Sequence, residues 1–352
     1  MHPEELQSAL APLSLPAYRA KQIFDWLQRR GAQSAGEMTN LPMDLRTRLT
    51  QDFFIASCEI AKKQESASGV RKYLFRLYDG ECIESVVMRY SYGYSVCVST
   101  QAGCKMACAF CASGRHGFTR DLLPGEMLAQ VHAAQRDIGE AVSHIVLMGM
   151  GEPLDNYGNT LQFLRLVSHP EGLNIGQRKI SLSTCGLVPQ IDRLAGERLG
   201  LTLSVSLHAP NDAIRDRLMP INRRYPLEEL LAACRRYAEA TGRRVSFEYV
   251  LFAGVNDSEA CAGELARKLK GMQCNGTLHC HVNLIPANAL PDREFRRSGS
   301  ETIRAFQGIL EKSGIAVTVR RSLGTDIDAA CGQLRRQEPG MRGHAPDPLP
   351  DS

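Results

Sequence analysis

Three cysteines fall within eight residues of the stretch QAGCKMACAFCASG: Cys104, Cys108 and Cys111, in the spacing CxxxCxxC. Thiolates are soft ligands, and a run this dense has the spacing of a metal site. Structural zinc takes four nitrogen or sulfur ligands, commonly as two CxxC-type pairs. Here only three are supplied, with no histidine at a partner spacing. A 4Fe–4S cube held by three thiolates fits the count, because its fourth iron stays open to another ligand. Phe110, between the second and third cysteines, is expected to sit against such a cluster. The loop therefore reads as an iron–sulfur site with an open iron, the alternatives being zinc and unrelated cysteines.

Other polar motifs recur along the chain: GMGEP at 149–153, STCG at 183–186, SLHAPND at 206–212 and IPANAL at 285–290. Alone, GMGEP reads as a tight turn into a helix. Cys97 and Cys331 stand apart from the cysteine loop, whereas Cys58, Cys82, Cys185, Cys234, Cys261, Cys274 and Cys280 read as small buried hydrophobes.

The elements that must position these residues alternate in type. Runs of strand length, YSVCVST, HIVLMGM, KISLST, LTLSVSLH, VSFEYVLF and LHCHVNLIP, are separated by helical patterns such as PGEMLAQVHAAQRDIG and PLEELLAACRRYAEATG. Six βα units followed by AVTVRRS predict an α/β fold, an open or partial parallel (βα)6-type barrel. In such folds sites form beyond the carboxyl ends of strands. The cysteine loop, GMGEP, STCG, SLHAPND and IPANAL all follow strands and so share one rim. Residues 1–60 read as a small helical domain, 61–94 as a β-hairpin extension, 95–336 as the core barrel, and 337–352, rich in proline, as a disordered tail.

The 352 residues are 43 % hydrophobic and 23 % charged, as in an ordinary soluble globular protein. No run approaches the ~18 apolar residues of a membrane span, and the start lacks a signal-peptide pattern. A cytoplasmic location is expected, where twelve cysteines do not make a static disulfide framework. The net charge of +4 is too small to imply nucleic acid by itself. Arginine pairs at Arg223-Arg224, Arg243-Arg244, Arg320-Arg321 and Arg335-Arg336 suit phosphate and base contacts, or equally a solvated surface of biased composition.

CxxxCxxC after the first barrel strand resembles the radical S-adenosylmethionine (SAM) superfamily. The strings SVCVSTQAGC, GMGEPLDNY, SLHAPNDAIRDRLMPIN and GTDIDAACGQL resemble, more narrowly, its RlmN/Cfr family of RNA methyltransferases, from about residue 15 to 336. GEPLDN and STCGLVP are similar to the RlmN branch. The resemblance implies that Cys104, Cys108 and Cys111 ligate a 4Fe–4S cluster. It implies that Gly151, Glu152, Ser183, Ser206, Leu207, His208 and Asn288 surround SAM, used twice per turnover. Cys331 would carry the methyl group, Cys97 would resolve the RNA adduct through a transient disulfide, and Glu84 would be the proton acceptor, a role for which Cys97 is also a candidate. Read from strand alternation alone, Glu84 is a surface carboxylate; the place of His208 at a strand end favours the site over a core histidine, and Asn288, after Pro286 at a strand end, has a turn residue as its alternative.

The implied reaction explains the two lone cysteines. Carbon 2 of adenine is an electron-poor C–H without useful acidity, so radical chemistry is needed there. A thiolate takes a methyl group from SAM by simple displacement, and release of the product from Cys331 needs a second thiol to attack its sulfur. The implied substrates are an adenosine of 23S ribosomal RNA, free or precursor, and the purine 3′ of the anticodon in tRNA. The helical start and the arginine pairs would hold the RNA. A low-potential electron donor such as flavodoxin, no membrane and a monomeric state complete the expectation. The alternatives are methylation at carbon 8, giving antibiotic resistance, and a non-catalytic RNA-binding protein with a structural metal.

Overall fold

The computed structural model describes residues 1–115, 117–274, 277–278, 280–287, 295–320 and 327. Three short helices open the chain: α1 (Pro3–Leu10), α2 (Ala17–Phe24), which runs on into a π-turn at Asp25–Arg29, and α3 (Met43–Asp52). Their apolar faces make a core of their own from Leu6, Leu10, Ile23, Phe24, Leu45 and Leu49, shared with the barrel helices only through Leu166. Each such side chain contributes about 1.5–3 kcal/mol on burial, so the unit has a sizeable private core.

Four strands follow: β1 (Glu59–Glu65), β2 (Arg71–Arg76), β3 (Cys82–Tyr90) and β4 (Gly93–Cys97). A two-stranded ribbon, β5 (Gln101–Gly103) and β6 (Phe118–Asp121), brackets the cysteine loop and a single helical turn, α4 (Ala112–Arg115). Strands and helices then alternate. First come α5 (Pro124–Ile138), β7 (Val142–Leu147), α6 (Tyr157–Val167), β8 (Ile180–Thr184), α7 (Val188–Gly196) and β9 (Thr202–Ser206). Next are α8 (Asp212–Leu218), α9 (Leu227–Thr241), β10 (Val245–Leu251) and α10 (Glu259–Lys270). A short ribbon of β11 (Gln273–Cys274) and β12 (Thr277–Leu278) precedes β13 (Cys280–Pro286), α11 (Ser300–Lys312) and β14 (Ala316–Val319).

Ten strands form one sheet in the order β1-β2-β3-β4-β7-β8-β9-β10-β13-β14. The pairings up to β4 are antiparallel and all later ones parallel. The order is linear, as an open sheet requires, and the fold is the α/β arrangement that the strand–helix alternation predicts. The expected domain limits at 60 and 94 fall inside β1 and β4, because the antiparallel strands are continuous with the parallel sheet. Among the described residues no helix is long and apolar enough to cross a membrane.

The period-2 pattern explains the two faces. Ile180, Leu182, Leu203, Val205, Val245, Phe247, Val282 and Leu284 join the core beneath the helices. The alternate positions of neighbouring strands, Ser183, Ser204, Ser246 and His281, align in register on the other face, which is polar. Helix ends are set locally. Glu126 accepts the Leu123 N–H at 2.8 Å to start α5 behind Pro124, and Gly139 ends it with φ 72°. Asn211 caps α8 by accepting the Ile214 N–H at 3.1 Å.

Candidate active site

The cysteine loop is held at both ends by backbone bonds. Cys104 N–H donates to the Gly117 carbonyl at 2.9 Å, Cys111 N–H to the Cys108 carbonyl at 3.0 Å, and Ala109 N–H to the Leu218 carbonyl at 2.9 Å. Gly103 enters the loop at φ 89°, and a Cβ there would stand 2.0 Å from the Gly117 carbonyl oxygen, so only glycine closes the ribbon. Cys104 and Cys185 lie in an apolar cluster with Leu218, Met219, Ile221 and Phe252, and Cys108 and Phe110 pack against it. Burial pushes the Cys104 thiol up to about 12 and Cys108 well above the ordinary range; Cys111 adds to both rises and Cys104 to that of Cys108.

Among the described residues no group of three or more His, Cys, Asp or Glu side chains is placed to hold a single metal ion. A cubane makes a different demand, one thiolate per ligated iron, and this loop's three thiols, with Cys104 and Cys108 in an apolar cluster, fit that donor set. Cys104, Cys108 and Cys111 are therefore the residues that would hold the cluster.

The neighbouring loops are tied to it and to one another. Glu152, 3 % exposed, donates its N–H to Gln101 Oε1 at 2.8 Å. Its carboxylate accepts the Leu154 N–H at 2.9 Å and the Cys185 N–H at 2.7 Å. Burial raises its pKa, and these donors oppose the rise. A Cβ on Gly151, at φ 100°, would come within 2.5 Å of Gln101 Cβ. Of the expected cofactor residues, Glu152 thus meets the chain just past β8 and Gly151 faces Gln101, while Ser183 on β8 is half-buried on the polar face. At the end of β9, Ser206 is half-buried and Leu207 fully buried.

His208 has the left-handed φ of 56°, rare for a side-chain-bearing residue and a mark of imposed geometry. Its Nδ1 accepts the Val250 N–H at 3.0 Å, which leaves the proton on Nε2. Burial, then Arg215, lowers its pKa to about 3, so the ring is neutral. Phe110 meets it edge-on at 5.0 Å. The histidine thus sits beside the cysteine loop, as its place at a strand end suggested.

Glu84 and Cys97 form a second pocket. Lys72, Val86, Cys97 and Val146 lie in one register row across β2, β3, β4 and β7, and Glu84 is two residues before Val86 on the same face. Glu84 is 3 % exposed, not a surface carboxylate, and its Oε2 lies 3.4 Å from Nζ of the fully buried Lys72. Burial raises the Cys97 thiol to about 11; Arg320 is the largest influence pulling it down, with Lys72 adding to this and Glu84 opposing. The two pockets are linked through Ser99, whose Oγ donates to the Glu84 carbonyl at 2.6 Å and accepts the Met150 N–H at 2.8 Å. Sequence reading missed Lys72 and Arg215, both buried; β2, RKYLFR, carries three charges, and nothing in its local pattern sets Lys72 apart from the other two. Asn288 and Cys331 lie outside the described residues, as does the tail at 337–352.

Residues 98–262 match the radical SAM superfamily, and residues 1–55 match the ribosomal RNA large subunit methyltransferase N-terminal domain. A protein of Pelotomaculum thermopropionicum named "probable dual-specificity RNA methyltransferase RlmN" is 56 % identical over 333 residues, covering 94 % of this chain and 89 % of that one. A protein of the same name from Desulforudis audaxviator is 54 % identical over 316 residues, covering 90 % and 98 %. The crystal structure of a radical SAM methyltransferase from Sphaerobacter thermophilus matches with a TM-score of 0.89 at 50 % identity, covering 95 % of this chain and 97 % of that one. With two relatives more than half identical along nearly all of its length and the same fold in a third, the chain belongs to the RlmN family of the radical SAM superfamily.

Proposed function

We propose that the protein is a SAM-dependent radical RNA methyltransferase that methylates carbon 2 of an adenosine in 23S ribosomal RNA and the purine 3′ of the anticodon in tRNA. The observation that carries this reading is the convergence of the cysteine loop, Glu152, Cys185 and His208 at one rim, with the Glu84 main chain joined to Met150 of the GMGEP loop by two hydrogen bonds through Ser99, two residues after the buried Cys97.

In this reading Cys104, Cys108 and Cys111 hold a 4Fe–4S cluster, and Gly151, Glu152, Ser183, Ser206, Leu207, His208 and Asn288 surround SAM. When bound, the cluster and SAM together would supply a 5′-deoxyadenosyl radical. Glu152 offers its carboxylate to the SAM ammonium, since each of its oxygens has lone pairs left beyond the amide bonds it accepts. Neutral His208 can donate from Nε2 without adding charge. Phe110, Phe252 and the apolar cluster keep water from the reacting radical.

Cys331, methylated on sulfur, would give one methyl hydrogen atom to that radical, its S–CH2 carbon would bond to carbon 2 of the adenine, and the odd electron of the adduct would return to the cluster. Glu84 accepts the ring proton from carbon 2. The Cys97 thiolate attacks the Cys331 sulfur, a disulfide forms, and the sulfur–carbon electron pair leaves with the base, whose CH2 carbon takes up a proton to become the methyl group. A cytoplasmic location, an electron donor such as flavodoxin and a monomeric state accompany the proposal, and the N-terminal helical unit with exposed Arg223, Arg224 and Arg244 would hold the RNA.

The test is an anaerobic incubation with methyl-labelled SAM, a low-potential reductant and RNA fragments bearing the target purine, read by mass spectrometry. Label on Cys331 and on carbon 2 is expected. Label on carbon 8 would move the protein to the resistance activity. Zinc in place of iron, with no label anywhere, would end the enzymatic reading.

A further inference from the structure

The one fully buried guanidinium among the described residues belongs to Arg215 on α8, a residue without a part in the proposed chemistry. Every hydrogen bond it makes goes to a neutral acceptor. Nε donates to the Leu207 carbonyl at 3.2 Å and Nη1 to Asn222 Oδ1 at 2.9 Å. Nη2 donates to the carbonyls of Cys185 at 2.7 Å and Ser206 at 3.1 Å. Asp212 and Asp216 are reached only through Asn222, whose Nδ2 donates to them at 2.9 and 2.7 Å. A guanidinium stays charged in a protein, and a buried charge is costly unless an opposite one faces it.

The charge that could face it lies in the cysteine loop. α8 carries that loop directly, through the Ala109–Leu218 bond at 2.9 Å, one residue past Cys108. Cys185, just past β8, and Cys108 of the loop are the largest electrostatic influences favouring the charged form of Arg215 against its burial, followed by Cys234 and Asp212. The surroundings are apolar, so charges interact there more strongly than in water. Three thiolates on a 4Fe–4S core give a net negative group, and one-electron reduction adds a further negative charge.

We infer that Arg215 is a positioning residue and the fixed countercharge of the cluster: its fork ties the carbonyls that end β8 and β9 behind the SAM loops, and its charge favours the reduced cluster. The inference rests on the cluster and SAM reading above. Cluster potential depends on net charge, hydrogen bonding and burial, so a fixed cation raises it. A lysine keeps the charge but lacks the planar fork that reaches three carbonyls at once.

The experiment compares wild type, Arg215→Met and Arg215→Lys, each full-length and reconstituted anaerobically with iron and sulfide. Midpoint potential is followed by electron paramagnetic resonance, and SAM affinity by equilibrium binding. Arg215→Met is expected to have a more negative potential and SAM binding weaker by about tenfold. Arg215→Lys is expected to keep the wild-type potential while losing SAM affinity by a similar factor. An unchanged potential in Arg215→Met overturns the countercharge, and unchanged SAM binding in both variants overturns the fork. Should Arg215→Met take up no cluster, Arg215→Lys decides. Cluster uptake at the wild-type potential supports the inference, and a folded Arg215→Lys chain without cluster overturns it. A wild-type chain that takes up no cluster, or binds no SAM when loaded, fails the cofactor reading itself and takes the inference down with it.

Discussion

The cluster pocket and the Glu84 pocket are both buried and lie a few residues apart, yet they treat charge in opposite ways. Around the cysteine loop the buried polar groups are neutral or bonded to neutral partners, and the ion pair of Lys105 with Asp155 at 3.1 Å lies on the loop's solvent side: His208 is held uncharged, and Arg215 bonds carbonyls and an amide. The backbone there is irregular, with Ala107 at φ 51° and His208 at φ 56°. In the second pocket Lys72 meets Glu84 as a buried ion pair at 3.4 Å, on antiparallel strands with no left-handed residue. The difference matches the proposed tasks. A site for a bulky anionic group needs a dry cavity, loops bent to fit it and one cation left to face it. A site that accepts a proton needs a base whose charge is already paired, on a scaffold that does not move.

This contrast can be broken first at the thiols. Cys108→Ser is expected to abolish cluster uptake and methylation together, read by iron analysis and product assay, because no other thiol replaces a ligand in that loop. Iron and activity at wild-type levels would remove the loop from the site. Cys97→Ala should instead leave Cys331 methylation intact and trap protein joined to RNA. Normal RNA turnover without adduct would refute its resolving role.

Next in size is the ion pair. Lys72→Met removes the cation 3.4 Å from the buried Glu84 carboxylate and should cost about 3–5 kcal/mol of stability. The double variant with Glu84→Gln should recover most of that loss, as measured by urea denaturation. If the single variant is as stable as wild type, the pair is not a coupled unit. Gly151→Ala should cost about 1–3 kcal/mol through its left-handed φ and the close approach of Gln101, with a larger fall in SAM binding than in stability. Equal falls would mean the loop is structural only.

The smallest effect concerns Cys97. Its thiol is raised to about 11, so below that pH the reactive thiolate is a minor species. Alkylation followed by mass spectrometry should therefore accelerate about tenfold per pH unit between roughly pH 7 and 10. Lys72→Met, which removes a cation that favours the thiolate, should slow it further. A rate that levels off near pH 8 would show a thiol activated in the resting protein and would weaken the contrast between the pockets.

Much of this was legible in the residue order. Regular alternation of apolar strand runs with helical patterns placed the parallel strands and their connecting helices, and CxxxCxxC placed the thiols in a strand-end loop. Other parts were not. β1, with the sequence EIAKKQE, has almost no apolar alternation because it is an exposed edge, and it becomes a strand only by pairing with β2. The β5–β6 ribbon that closes the cysteine loop is too short to carry a pattern at all. Cys185 read as a buried hydrophobe, which it is, but its backbone N–H also binds Glu152.

Residue type and spacing by themselves determined the donor set, the strand–helix alternation and the rim on which the chemistry gathers, since these depend on periods of two to four residues. Tertiary structure alone decided that Lys72 and Arg215, which local sequence cannot tell from solvated surface charges, are buried, and which partners each would find. Burial of a charge is a property of pairing across long sequence separations: the register of β2 on β3 brings Lys72 to Glu84, and the docking of α8 under two strand ends carries Arg215 beneath the cysteine loop.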